Sequence, residues 1–387
     1  MPPFLWTLRM IDGVWRAARI LTMNPALPEI ADGGLAVAGG RIVAIGPWKE
    51  VRDCGPAHDL GSVAIVPGLI NAHTHLGLSH LSGRIPPGLG FAAWADRLFA
   101  LMNEKTDAAA VERAVARMRA GGVACVGDVT GRDAELVRAA LDRQGVAGHL
   151  FREWTGSGRN VAPRPLPGAW SLAVHALYSC HADLARRVKG WCGQRRLPFS
   201  LHLAEVPGEN ELFLTGRGKL AEFVRSRRIL PSGFVPPEQR VVPFARSLGL
   251  LDNRSLAVHC VRVNEEDADI LARSGASVCL CPRSNTWIGV GPAPAAMLHA
   301  AGVPLCLGTD SLASAPDMEL WAELRTVRAM LPGVSPMGLL ELVTRNPARA
   351  LGVEADFGSL EVGKHVRQRD RLEHAAGAKV FPLPKAV

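Results

Sequence analysis

The stretch Val66-Pro67-Gly68-Leu69-Ile70-Asn71-Ala72-His73-Thr74-His75-Leu76 decides how the rest of the chain is read. An apolar run from Val63 to Ile65, resumed by Leu69 and Ile70, breaks off into two histidines one residue apart. Side chains at i and i+2 of a strand share a face. His73 and His75 are therefore expected to project together from a strand end, placed to grip one metal ion. A lone His-x-His arises readily by chance. Its weight here comes from what the later strands end in.

Working outward, residues 66 onward alternate short apolar strands with amphipathic helices. The pattern predicts strands over 65–72, 123–129, 149–154, 172–178, 199–204, 256–263, 277–281 and 304–308, and helices over 108–120, 134–143, 182–191, 265–274, 295–301, 319–330 and 337–350. Gly121-Gly122, Gly145, Gly275 and Gly302 close helices just before strands, as helix C-termini favour. Eight alternations predict an α/β chain folded as a (β/α)8 barrel of the TIM type. A doubly wound open sheet would more often carry a Gly-x-Gly-x-x-Gly loop after its first strand, and the two histidines stand where that loop would be.

Upstream, residues 16–65 read as short strands and turns, with a hairpin signal at Gly39-Gly40. The expected organisation is 1–65 as the N-terminal part of a small β-sandwich, 66–349 as the metal-dependent barrel, and 350–387 as a return to the β module. Residues 206–250 exceed a simple connection and are expected to place helices and a loop over the barrel mouth.

The strand ends carry the chemistry. His202 alternates with Leu201 and Leu203, and Glu205 closes that strand; His259 and Asp310 end two others. Such barrels build their sites at this face. His73, His75, His202 and Asp310 offer nitrogen and oxygen ligands for one divalent ion, zinc first and iron as the alternative. Glu205 is placed to shuttle protons to a leaving nitrogen, and His259 to stabilise charge on an attacking oxygen. The Pro-Cys-x-x-Cys of cytidine-deaminase zinc sites is absent.

Pro67-Gly68-Leu69-Ile70-Asn71-Ala72-His73-Thr74-His75, His202-x-x-Glu205, His259 and Gly308-Thr309-Asp310 together resemble the mononuclear aminohydrolase branch of the amidohydrolase superfamily, over about residues 17 to 364. The resemblance implies that His73, His75, His202 and Asp310 hold the metal, with Glu205, His259 and Asp310 as catalytic partners. A binuclear relative needs a lysine at the end of the fourth strand, and that strand has none. His175-Ala176-Leu177-Tyr178-Ser179 is similar to the His-Ala-Pro-Tyr segment of deaminases acting on S-adenosylhomocysteine, methylthioadenosine, 5′-deoxyadenosine and aminofutalosine, which implies that His175 lines a nucleoside pocket. Cys281-Pro282-Arg283-Ser284-Asn285 resembles the branch's Pro-x-Ser-Asn segment. It makes Arg283 a candidate carboxylate contact and Ser284 and Asn285 candidate hydrogen-bonding partners of the substrate, with Ser311 a further candidate.

The loop after the metal pair holds Arg84, a candidate anion contact. The family often places a ribose-binding glutamate there, but none precedes Glu104. Both features tilt the expectation toward a substrate with an acidic group. The expected reaction is hydrolytic deamination of an adenine nucleoside modified at its 5′ position. The rivals are amino- or chlorohydrolysis of guanine, cytosine, a pterin or a triazine, and a barrel that serves only as a scaffold.

Composition narrows the partners. The 387 residues are 48% hydrophobic and 21% charged, enough for a substantial core. No uninterrupted apolar run approaches the roughly 18 residues of a membrane span, and 1–19 lack the pattern of a signal peptide. The net charge of +8 comes from scattered arginines, not a basic tract, so nucleic acid is not expected as a partner. Eight well-separated cysteines, five of them inside apolar strands, are expected as reduced thiols in the cytoplasm. The branch is frequently homo-oligomeric. After Gly358-Ser359-Leu360-Glu361-Val362-Gly363-Lys364 the chain turns charged, where an apolar strand is expected, so the β module is expected to be incomplete with exposed edges.

Overall fold

The computed structural model describes residues 11–131, 133–158, 161, 163–366 and 378–382. The first strands, β1 (Gly13–Leu21), β2 (Glu29–Ala38) and β3 (Arg41–Pro47), form an antiparallel meander turning at Gly39-Gly40. β4 (Ala57–Asp59) and β5 (Val63–Pro67) add to β1 in parallel. Ile20, Leu35, Ile42 and Ile65 fill the buried face of this sheet.

The strand expected over 65–72 is two strands. β5 pairs with β1, whereas β6 (Leu69–Thr74) begins the barrel, and the change of partners falls at Gly68. The barrel continues through β7 (Val123–Thr130), β8 (Ala147–Trp154), β9 (Ala169–Val174), β10 (Phe199–Leu203), β11 (Ser255–His259), β12 (Ser277–Leu280) and β13 (Leu305–Leu307), each parallel to the one before. Asn71 draws the last strand to the first: its amide donates to Thr309 Oγ1 at 2.7 Å and its oxygen accepts from the Thr309 backbone N–H at 3.1 Å. A parallel bridge between Thr74 and Asp310 adds to that closure.

Ile70, Cys125, Phe151, Leu256, Cys279 and Cys306 pack inside the barrel. Outside, Leu69, Val126, Leu172 and Leu201 meet apolar stripes such as Val111, Val115, Val137, Leu141 and Val188. Each such residue, fully buried, contributes roughly 1.5–3 kcal/mol of transfer free energy. Local signals agree with the packing. The Asp107 side chain accepts from Ala109 N–H at the start of helix Ala108–Ala120, and Asn264 and Asp267 form a capping box at the start of Glu265–Ser274.

The helix expected over 337–350 is split into Pro336–Glu341 and Arg345–Ala350. Pro347 has no N–H to return to Val343, so it must fall in the first turn of a new helix. The Val343 carbonyl accepts instead from Ile70 N–H of the first barrel strand. The expected excursion over 206–250 forms helices Glu209–Thr215, Lys219–Ser226 and Val241–Ser247.

The expectation of an incomplete β module is corrected. Leu360, Gly363 and Val366 donate backbone bonds to Thr22, Ile42 and Gly40. β14 (Ala378–Pro382) then pairs antiparallel with β5, giving the small sheet the order β14-β5-β1-β2-β3. That strand covers the edge expected to be bare. The rest of the charged tail, 367–377 and 383–387, lies outside the described residues. Among the described residues no helix is long and apolar enough to cross a membrane.

Candidate active site

The C-terminal ends of the barrel strands converge on one cluster. Single ligand atoms of His73, His75 and His202 all lie within 4.8 Å of one another, a group able to hold a metal ion. His73 Nε2 and His202 Nε2 face each other at 3.3 Å, and Asp310 Oδ1 stands 3.6 Å from His73 Nε2 and 3.5 Å from His75 Nε2. Burial, the largest influence, keeps the three imidazoles neutral: His75 is pushed down to about 3, and His73 and His202 are also lowered. Neutral imidazoles and a carboxylate aimed at one point are the donor set a divalent cation requires.

The backbone at these ends is unusual. Ala204, His259, Cys260 and Asp310 have φ of +51°, +75°, +48° and +58°, a left-handed region that costs non-glycine residues energy. These four residues fall at the ends of β10, β11 and β13, where the chain turns as it delivers Glu205, His259 and Asp310 to the site. Nothing in the sequence marks these conformations.

Beside the cluster, Glu205 Oε1 lies 3.6 Å from His259 Nε2. Burial raises the Glu205 carboxyl above its ordinary range, partly offset by His259. Asp310 Oδ2 accepts from Ser284 Oγ at 2.6 Å and Ser314 Oγ at 2.9 Å, which leaves Oδ1 for the imidazoles. His202 Nδ1 is 3.0 Å from the His175 carbonyl, which fixes the ring so that Nε2 points inward.

A cavity opens over this cluster, lined by His75, His175, His202, Glu205, His259, Asp310 and Ser311 on one side. His175 is set by Ser179 Oγ at 2.7 Å from its Nδ1. His175 and Ser311, both expected at the substrate, thus border the cavity. The other four expected substrate contacts do not. Arg84 is held by both carboxylate oxygens of Glu104, and Arg283 by both oxygens of Asp317 at 2.6 and 2.9 Å. A guanidinium saturated by a bidentate carboxylate turns toward that partner. Ser284 and Asn285 serve the cluster instead, Ser284 through Asp310 and Asn285 through His259.

Three acidic residues near the site escaped the sequence reading. Asp128 Oδ1 accepts from Thr74 Oγ1 at 2.8 Å and Leu76 N–H at 2.7 Å, pinning the chain on both sides of His75, and burial raises it to about 7. The Glu209 carboxylate accepts from the backbone N–H groups of Ala204, Glu205 and Val206 and so holds the turn that carries Glu205. Glu153 lines the cavity and is raised by burial to about 7. Asp128 had a signal, a carboxylate inside an otherwise apolar strand. Glu209 looked like an ordinary acid at a helix start.

Comparison with known proteins agrees with this geometry. The model of the amidohydrolase family matches residues 64–365. The 5-methylthioadenosine/S-adenosylhomocysteine deaminase of Nitratidesulfovibrio vulgaris is 29% identical, with 91% of this chain and 81% of the relative covered. The aminodeoxyfutalosine deaminase of Deinococcus radiodurans is 28% identical, covering 84% and 82%. Among solved structures, an adenosine deaminase from Xanthomonas campestris with bound zinc superposes with a TM-score of 0.76 at 26% identity, covering 94% of this chain and 84% of that one. Motif, barrel and ligand cluster lead to one assignment: the chain belongs to the amidohydrolase family.

Proposed function

We propose that this protein is a metal-dependent hydrolase that deaminates an adenine nucleoside modified at its 5′ position and releases ammonia. The observation that carries the reading is the convergence of His73, His75, His202 and Asp310 beside the Glu205–His259 pair. The deaminases that match nearly the whole chain support the substrate class. In this reading the four residues hold one divalent ion, zinc first and iron as the alternative. Bound there, such an ion lowers the pKa of water enough for it to act as a nucleophile near neutral pH.

The chain's own groups do the rest. Glu205, its carboxyl raised by burial, exchanges protons with the ring nitrogen and the departing amine. His259, fixed by Asn285, stabilises the negative charge on the oxygen that adds to C6 of the adenine. As the new C–O bond forms the C–N bond breaks, and ammonia leaves with the proton passed by Glu205. His175, on the cavity wall, contacts the purine, and Ser311 lies at its edge. The substrate is a small molecule, with no role for nucleic acid. The cytoplasm suits cysteines that form no disulfide among the described residues.

The test is ammonia release by zinc-loaded protein over a panel of adenosine, 5′-deoxyadenosine, methylthioadenosine, S-adenosylhomocysteine, aminofutalosine, guanine and cytosine, with Glu205→Gln as control. Turnover confined to adenine nucleosides and abolished in the control is expected. Turnover of guanine or cytosine alone would overturn the substrate class.

A further inference from the structure

The cavity lining has two parts of unlike character. One carries the ligand cluster and its partners. The other is built by helix Phe91–Leu101 with flanking residues: Leu78, Phe91, Trp94, Leu98, Phe99 and Ile229. Ala95 is the helix's only fully buried residue, and Phe91, Trp94, Leu98 and Leu101 are partly buried against the neighbouring core. Phe99 remains 38% exposed at the cavity mouth. Apolar surface left in water beside a polar site marks where an apolar part of a ligand gains most by binding. The wall is anchored rather than loose. Trp94 Nε1 donates to the Ala313 carbonyl at 3.0 Å, and Asp96 takes both Nε and Nη2 of Arg227 at 2.7 and 2.8 Å.

The described side chains lining the cavity supply no fixed positive charge. Among the described residues that line it there is no lysine or arginine, while Glu153, Glu205 and Asp310 are all acids. The two arginines expected at the substrate are already paired, Arg84 with Glu104 and Arg283 with Asp317, and Arg227 is held by Asp96 of helix Phe91–Leu101. A carboxylate lying along the apolar residues loses water and meets no lysine or arginine there, an unfavourable placement for a buried charge, while the divalent ion of the proposed function would sit among the histidines where the adenine binds.

We propose that helix Phe91–Leu101 is the specificity wall of this pocket, and that it selects adenine nucleosides whose 5′ substituent is uncharged and apolar over those that end in a carboxylate. This rests on the function proposed above. It reverses the tilt toward an acidic substrate drawn from Arg84. The adenine meets the polar wall, and the 5′ group lies along Leu98 and Phe99.

The deciding experiment compares three nucleosides on the zinc-loaded, full-length protein: methylthioadenosine, a 5′-thioether of adenosine ending in a carboxylate, and the methyl ester of that thioether. The ester matches the acid in length and lacks only the charge. Its kcat/KM is expected to exceed that of the acid by about tenfold or more, the scale on which one mismatched contact discriminates, with the difference mainly in KM. Phe99→Lys, at a half-exposed position where a charge is tolerated, should raise kcat/KM for the acid and lower the ester-to-acid ratio, while methylthioadenosine, which loses its apolar 5′ contact, should be turned over less well. Equal or better turnover of the acid by the unaltered protein overturns the inference and leaves the deaminase reading standing. An unchanged ester-to-acid ratio in Phe99→Lys counts against this wall as its source. No turnover of any of the three by metal-loaded protein overturns both.

Discussion

His259 Nδ1 lies 2.9 Å from the side-chain oxygen of Asn285, a fully buried contact between the end of β11 and the helix that follows β12. An N–H donated from Nδ1 to that oxygen fixes the imidazole so that Nε2 faces Glu205 Oε1, 3.6 Å away. Asn285→Ala should therefore lower kcat by roughly 10- to 100-fold, the usual effect of losing an orienting partner. KM and metal content should stay near their original values. Steady-state kinetics with metal analysis checks this, and an unchanged kcat would remove Asn285 from the catalytic arrangement.

Asn285 also shows the limit of what the sequence displays. The Pro-x-Ser-Asn resemblance placed Ser284 and Asn285 at the correct strand end, yet they bond to Asp310 and His259 and not to the cavity. The choice depends on a register between β11, β12 and β13 that no local pattern encodes. The clustering of His73, His75 and His202 was legible because alternation within a strand suffices to aim each side chain. The barrel was legible because helix and strand periodicities differ. Arg84 misled because its partner Glu104 is 20 residues away, and β14 was hidden because its pairing with β5 joins residues more than 300 positions apart.

One metal ion per chain is the expected stoichiometry. His202→Ala should weaken binding enough for a chelator to strip the ion, because His73, His75 and Asp310 are then the only donors left of the four. Glu205→Gln should keep the full equivalent while losing turnover, since Glu205 reaches His259 rather than the ligand cluster. Elemental analysis after dialysis against a weak chelator separates the two. Loss of metal from Glu205→Gln would make Glu205 a ligand.

Glu323 provides a pH prediction away from the ligand cluster. Its side chain is fully buried, Oε1 has no hydrogen-bond partner, and burial raises the carboxyl to about 8, against the Arg283 N–H bond that favours ionisation. The folded pKa is above the unfolded value near 4.5, so the fold favours the protonated form. The stability this contributes is complete below about pH 4.5 and is lost as pH rises through 8. Glu323→Gln keeps an acceptor for Arg283 N–H but cannot ionise. Its melting temperature should fall less steeply between pH 6 and 9 than that of the unaltered protein. Parallel curves in differential scanning calorimetry would show that Glu323 does not titrate in that window.

Removing the chain beyond residue 366 takes away β14 and uncovers the backbone edge of β5. A bare, largely buried strand such as Val63–Pro67 then becomes a template for intermolecular pairing. The truncated protein should melt a few degrees lower and aggregate sooner on heating, while soluble protein keeps its metal content because no ligand lies in that segment. Light scattering during a thermal ramp is the check. Identical melting and scattering would mean that β14 adds nothing to the sheet.

Gly308 sits where the last barrel strand passes closest to the first. A Cβ at that position would stand 2.8 Å from His73 Cβ, 2.9 Å from Cys279 Sγ and 2.9 Å from the His73 carbonyl oxygen. Real Cβ atoms do not approach backbone or branch carbons so closely, and two of these three contacts cannot rotate away. Gly308→Ala must therefore displace His73 or part β13 from β6, where Asn71 and Thr309 hold them together. Either response moves one ligand relative to the other three. The expected result is a large loss of metal affinity with a smaller fall in melting temperature, because overpacking at one site costs about 1–3 kcal/mol. Gly127→Ala serves as the comparison. It meets the Ala72 carbonyl oxygen at 2.5 Å on the other side of β6, so it strains the same strand without touching His73. Titration of both variants with zinc decides the matter: if they lose metal affinity equally, strain in β6 is the cause and not the displacement of His73.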